Sequence, residues 1–179
     1  MIQMMRTAPI RVLIVEDDAL IAEDLKRRLI MAGHTVCGIA SNGEEALNMA
    51  VRLRPKLVLM DIHLNGEMDG IEAAGRIRRR IRVPLVYLTA HADDETLGRA
   101  KDTEPVGYVV KPFTQCQLHS AIEMAICTHR REVRMEESRR HLAWTLRFGH
   151  RNAPGSASAG PPENELAIPA SASWGRSKA

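Results

Sequence analysis

Aromatic residues are nearly missing from this chain of 179: two Trp, two Tyr and two Phe make up 3% of it. Any core must therefore be built from aliphatic side chains. Cysteine is scarce as well. Cys37, Cys116 and Cys127 are odd in number and lack metal-type spacing, which argues against a disulfide framework or a zinc module and suits reduced thiols. No apolar run approaches the roughly 18 residues of a membrane helix. After Arg6 and Arg11 the only apolar stretch is Val12-Leu13-Ile14-Val15, and Glu16-Asp17-Asp18 stops it. That is short of the about 7–15 apolar residues of a signal peptide, so a cytoplasmic location without membrane attachment is expected. A dominant charge is missing too. The net charge is +3, but residues 1–129 hold 16 Lys/Arg against 17 Asp/Glu, and residues 130–179 hold 9 against 5. The basic balance belongs to the C-terminal part and gives the rest no nucleic-acid character.

What is present is an ordinary globular composition, 45% hydrophobic and 26% charged, in a length that suits one domain plus a remainder. Short apolar runs alternate with helical periodicity. Ile10–Val15, Thr35–Ile39, Leu57–Met60, Leu85–Thr89 and Val106–Val110 read as strands. Between them, Leu20, Ile21, Leu25 and Leu29 recur at helical spacing with Gly33 as a C-cap, and Ser41 with Glu44 forms a capping box before Ala46, Leu47, Ala50 and Val51. A loop, Leu64–Gly70, leads to a helix carrying Ile71, Ala74 and Ile77. Asp93-Asp94-Glu95 suit a first helical turn, and Thr114 with Gln117 forms a second box ahead of Leu118, Ile122, Ala125 and Ile126. Five β-then-α units with near-continuously apolar strands predict a doubly wound α/β fold on a parallel sheet. The five arginines between Arg76 and Arg82 read as a solvated helix end.

In such a fold the polar residues that close the strands share one edge of the sheet. Glu16 and Asp17 follow the first strand, Asp61 the third, Thr89 ends the fourth, and Lys111 follows the fifth. Three carboxylates together repel unless a cation joins them, and oxygen ligands without His or Cys suit Mg2+. A lysine and a hydroxyl facing the cluster are what a phosphoryl group requires, and an aspartate can be the nucleophile that accepts it.

The motifs Val15-Glu16-Asp17, Met60-Asp61-Ile62, Leu88-Thr89-Ala90 and Lys111-Pro112-Phe113, in this order and at these gaps, strongly resemble the receiver domain of two-component response regulators. The resemblance covers about residues 9–129. It implies a flavodoxin-like (βα)5 fold with strand order 2-1-3-4-5. It implies that Asp61 accepts phosphate from a histidine kinase or phosphotransfer protein, and that Glu16, Asp17, Asp61 and the backbone carbonyl of His63 hold Mg2+. Thr89 and Lys111 would contact the phosphoryl oxygens, Ala90 would leave room for them, and Tyr108 would be the switch aromatic. Lys111–Pro112 is expected to be cis, and His63 and His91 occupy positions that tune phosphate lifetime. The loop Leu64–Gly70 is longer than the common Pro-containing version and looks like that of receivers joined to sensory or kinase modules. The implied function is a phosphorylation-operated switch rather than a turnover enzyme, acting through the surface of the fourth helix, fifth strand and fifth helix on a downstream protein.

Two other classes share the topology. An aspartyl-nucleophile phosphatase usually has a second Asp two residues after the first, where this chain has His63. A flavin module would have a Ser-, Thr- or Gly-rich loop after the first strand, where Glu16-Asp17-Asp18 would repel phosphate. Beyond the receiver, eight of the fifteen residues from Cys127 to His141 are Arg or Glu, and residues 130–148 read as a helical extension like the linkers that lead into PAS-type sensory domains. From Gly149 to Ala179, twenty of thirty-one residues are Gly, Pro, Ser or Ala, a composition expected to be disordered. No helix-turn-helix pattern follows, so direct DNA binding is not expected. Either the protein stands alone, with a homodimer through the last receiver helix and its extension, or its frame is cut short or altered near Phe148. The poorly kept heptad after Ile126 favours a solvated helix over a coiled coil.

Overall fold

The computed structural model describes residues 8–90 and 94–148, with the side chains of residues 94–97 excepted. The elements alternate throughout: β1 (Arg11–Val15), α1 (Ala19–Met31), β2 (Thr35–Ala40), α2 (Gly43–Leu53), β3 (Leu57–Asp61), α3 (Gly70–Arg78), β4 (Leu85–Thr89), α4 (Asp94–Lys101), β5 (Gly107–Val110) and α5 (Gln115–Phe148). The five strands form one parallel sheet in the order β2-β1-β3-β4-β5, the architecture expected from the sequence. By compactness the chain divides after Arg131. Among the described residues, the second unit is the part of α5 that ends at Phe148. The Gly-, Pro-, Ser- and Ala-rich segment from Gly149 onward lies outside the described residues.

Parallel strands alternate their side chains between two apolar layers. Leu13, Val15, Val58, Met60, Leu85 and Tyr87 join Ala46, Ala50, Ala73, Ala74 and Ile77 of α2 and α3. The intervening residues Val12, Ile14, Leu57, Leu59, Val86 and Leu88 join Leu25 and Leu29 of α1 and Leu118, Ile122 and Ile126 of α5. Every residue of β3 and β4 is buried, which is why those runs show no polar alternation.

Helix ends follow local chemistry. Asp18 caps α1, its carboxylate accepting from the N–H groups of Leu20 and Ile21 at 2.8 and 3.1 Å. The box expected from Ser41 and Glu44 is displaced by one residue. Asn42 is the cap, accepting from Glu45 N–H at 2.9 Å, and the Glu45 carboxylate accepts from Ser41 N–H at 2.9 Å. The box of Thr114 and Gln117 forms as expected. Ile10 and Val106 fall just outside β1 and β5, although the Ile10 carbonyl and the Val106 N–H still bond to neighbouring segments. Asp93 lies outside the described residues.

Gly70 opens α3 directly beneath the end of β3. A Cβ there would stand 1.8 Å from the Asp61 carbonyl oxygen, and the Gly70 N–H already donates to the Ile62 carbonyl at 2.9 Å. Backbone on backbone leaves nothing flexible to give way. Gly70→Ala should therefore cost about 3 kcal/mol, the upper range for overpacking, read as a lowered urea midpoint at unchanged slope.

Candidate functional site at the carboxyl edge of the sheet

Parallelism sends the C-terminal ends of all five strands to one edge, and the loops that leave them carry the polar residues singled out in the sequence. Glu16 is anchored by its N–H, which donates to the Ala40 carbonyl at 3.0 Å. It is 2% exposed, and Asp61, the last residue of β3, is 6% exposed. Asp17 is half-buried. One carboxylate oxygen from each of Glu16, Asp17 and Asp61 lies within 4.8 Å of the others. The sequence pair Asp17-Asp18 thus divides its labour: Asp18 caps a helix, and Asp17 is left for the cluster.

Lys111 enters from beyond β5. Its N–H donates to the Thr89 carbonyl at 2.7 Å, which fixes the end of β5 against β4. Its Nζ donates to Glu16 Oε2 at 2.7 Å and to Asp61 Oδ2 at 2.5 Å. The other Asp61 oxygen, Oδ1, accepts from the His63 N–H at 3.0 Å, while the His63 side chain is exposed. Thr89 is wholly buried, one residue beyond Leu88, the residue that pairs with Asp61 across the sheet. Ala90 is exposed. The Lys111–Pro112 peptide is cis. His91 lies outside the described residues.

One ammonium against three carboxylates leaves the cluster negative. Burial pushes the Glu16 carboxyl up to about 7; Lys111 pulls it back, and repulsion from Asp61 adds to the rise. Burial alone would lower the Lys111 ammonium, but its bonds to Asp61 and Glu16 outweigh that and raise it. The donor set fits Mg2+: three carboxylate oxygens and no nitrogen or sulfur, with one ammonium against three acids.

Asn65 escaped the sequence reading. Its side-chain amide donates to Asp17 Oδ2 from the β3–α3 loop, which turns at Gly66 with φ +121°. The sequence signal was the Asn-Gly pair, read there only as a loop. Tyr87 escaped as well. It is fully buried in β4, its hydroxyl paired with Thr103 Oγ1 at 2.8 Å, and its ring stacks on Tyr108 at 5.7 Å between centroids. Tyr108 is half-buried, and its hydroxyl is out of contact with water and without a partner among the described residues.

Removing the lysine isolates two buried carboxylates. In EDTA, Lys111→Met should lose about 3 kcal/mol of stability, as expected when one partner of a buried ion pair is deleted. Adding Glu16→Gln to that variant should restore part of the loss. Additive losses in urea denaturation would show that the two groups do not interact.

Comparison with known proteins agrees with this geometry. A family model described as the response regulator receiver domain matches residues 12–123. The transcriptional regulatory protein PdtaR of Mycobacterium tuberculosis (strain ATCC 25618 / H37Rv) is 40% identical over 128 residues, which are 72% of this chain and 62% of that protein. The chain therefore spans less than two thirds of that relative's length. Among solved structures, the signal receiver domain of a modulated diguanylate cyclase from Desulfovibrio desulfuricans G20 aligns with TM-score 0.67 and 42% identity, over 70% of this chain and 99% of that one. The chemotaxis protein CheY4 of Vibrio cholerae aligns with TM-score 0.61 and 27% identity, over 66% of this chain and 99% of that one.

Proposed function

The chain belongs to the response regulator receiver family, and from that premise we propose that it is a signalling switch thrown by phosphorylation of Asp61. The observation that carries this reading is the convergence of Lys111 Nζ on Glu16 and Asp61, with Asp17 in the same cluster. In the proposed reaction an Asp61 carboxylate oxygen attacks the phosphorus of a phosphohistidine on a histidine kinase or phosphotransfer protein. The P–N bond breaks, its electron pair stays on the ring nitrogen, and the imidazole leaves neutral because its other ring nitrogen already carries a proton. Glu16, Asp17, Asp61 and the His63 carbonyl would hold Mg2+, which when bound offsets negative charge on the carboxylates and the phosphoryl oxygens.

Lys111 is the cation for one phosphoryl oxygen, and the Thr89 hydroxyl is the hydrogen-bond donor for another. Each acts more strongly on the phosphorylated state, so together they bias a two-state equilibrium. Tyr108 is the proposed reporter. Its hydroxyl has no partner among the described residues, and its ring rests on Tyr87, so a new position costs it no side-chain hydrogen bond to them. The surface so altered, α4, β5 and α5, is assigned to a downstream protein. The similar proteins bear names as different as transcriptional regulator and anti-anti-sigma factor, so no single output is carried over. No helix among the described residues is long and apolar enough to cross a membrane.

Acetyl phosphate or a phosphorylated kinase with Mg2+ should label the full chain on Asp61, resolved by mass spectrometry. EDTA and Asp61→Asn should each abolish labelling, and Thr89→Ala should slow it about a hundredfold, one lost transition-state hydrogen bond at the lower end of its usual effect. Equal labelling of Asp61→Asn would remove Asp61 from its role.

We assign residues 9–129 to the receiver and 130–148 to a helical extension, and infer that two copies pair through the last receiver helix and that extension, by apolar contact without a regular coiled-coil heptad. Met135, Leu142 and Leu146 on that extension are 65%, 60% and 66% exposed. Light scattering of the full chain should give twice the chain mass, and Leu142→Glu with Leu146→Glu should give the single mass. A wild-type monomer at high concentration would refute the pairing.

A further inference from the structure

The other edge of the sheet holds a second cluster of ligating side chains that plays no part in the phosphoacceptor site. α1 ends in a Schellman closure: the Gly33 N–H donates to Ile30 and the His34 N–H to Leu29, both at 2.9 Å, with Gly33 at φ 89°. The residue after that glycine normally contributes an apolar contact to the helix end. Here it is His34, only 5% exposed, and neither ring nitrogen has a hydrogen-bond partner among the described residues. A leucine would fill the position without burying two unsatisfied nitrogens.

Facing it, α5 presents His119 and Glu123, four residues apart and so on one side of the helix. One donor atom from each of His34, His119 and Glu123 lies within 4.8 Å of the others. Tetrahedral ligands at Zn–N and Zn–O distances near 2.0–2.1 Å stand about 3.4 Å apart, so modest side-chain rotation closes the set. We propose that His34, His119 and Glu123 form a binding site for a zinc-type transition-metal ion that ties the C-terminal turn of α1 to α5.

The donor set separates this site from the first. Two imidazoles and one carboxylate suit Zn2+ and disfavour Mg2+, whereas the cluster at Asp61 has oxygen ligands alone. Burial also holds the His34 pKa below the ordinary histidine range, with Glu123 opposing that shift and His119 adding to it. His119 and Glu123 are half-buried, which leaves the ion reachable from solvent and a fourth position for water. The proposal does not depend on phosphorylation of Asp61.

Calorimetric titration of the full chain with Zn2+ in excess Mg2+ tests it, alongside thermal melting and Co2+ absorption. One ion should bind per chain and raise the melting temperature, and Co2+ should give tetrahedral d–d bands without thiolate charge transfer from Cys116 or Cys127. His119→Ala and Glu123→Gln, on the half-buried side of the site, should each weaken binding at least about tenfold. His34→Leu should abolish the site while keeping the fold, because leucine suits the buried position. Wild-type affinity in His119→Ala and Glu123→Gln, no uptake of Zn2+ by the wild type, or a spectrum dominated by thiolate ligation would each overturn the assignment.

Discussion

Lys111 Nζ between the carboxylates of Glu16 and Asp61 is the contact on which the functional edge depends. Two acids so thoroughly buried would repel each other and resist ionisation, as the elevated Glu16 pKa shows. The lysine answers part of that charge. It leaves Asp17 in the cluster as well, so the site as a whole stays short of a cation. In the proposed switch that shortage is what would draw a divalent ion and a phosphoryl group; a site neutral on its own would have no call for either. Charge left unbalanced at an otherwise stable edge is a stored preference for a ligand.

The sheet supplies the rigidity that this imbalance needs. β1 and β3 are neighbours in the sheet, so Glu16 and Asp61 emerge side by side from strands whose last four residues are all buried. Lys111 arrives from the far edge strand, and its backbone bond to Thr89 sets its distance. Gly70 allows α3 to begin against the Asp61 carbonyl, so the backbone of Asp61 is held from below. Each constraint is local, but together they keep the charged groups from drifting apart, which their mutual repulsion would otherwise favour.

The fold was largely legible because its signals are redundant. Buried strands read as apolar runs, the helix stripes read as periodicity, and Asp61, Thr89 and Lys111 stood where those runs stop. The errors were those of single-residue signals. Ser41 and Asn42 are both good caps, and the backbone chose the second. Asn65 was hidden because its role lies in a contact forty-eight residues away, which no local pattern encodes. Tyr87 was read only as one of a run of apolar strand residues, since its pairing with Thr103 and Tyr108 exists only after the sheet forms. His34 was invisible for a related reason: its partners lie more than eighty residues along the chain, on a helix whose apolar stripe drew attention to Leu118 and Ile122 instead.

The two clusters lie at opposite edges, but α5, which carries His119 and Glu123 of the second, starts close to the first. α5 begins just past Lys111, where the Gln115 side chain donates to the Arg28 carbonyl at 3.2 Å and the Arg28 guanidinium lies 5.8 Å from the Phe113 ring centre. One turn further on it presents His119. A phosphorylation-driven change at β5 that moves α5 against α1 would therefore change the spacing of His119 and Glu123 from His34. Coupling between two ligands is reciprocal in free energy. Whatever factor phosphorylation applies to metal affinity at His34, the metal must apply to the phosphorylated conformation in return. The receiver would then weigh two inputs through one helix, with no contact between the groups that receive them.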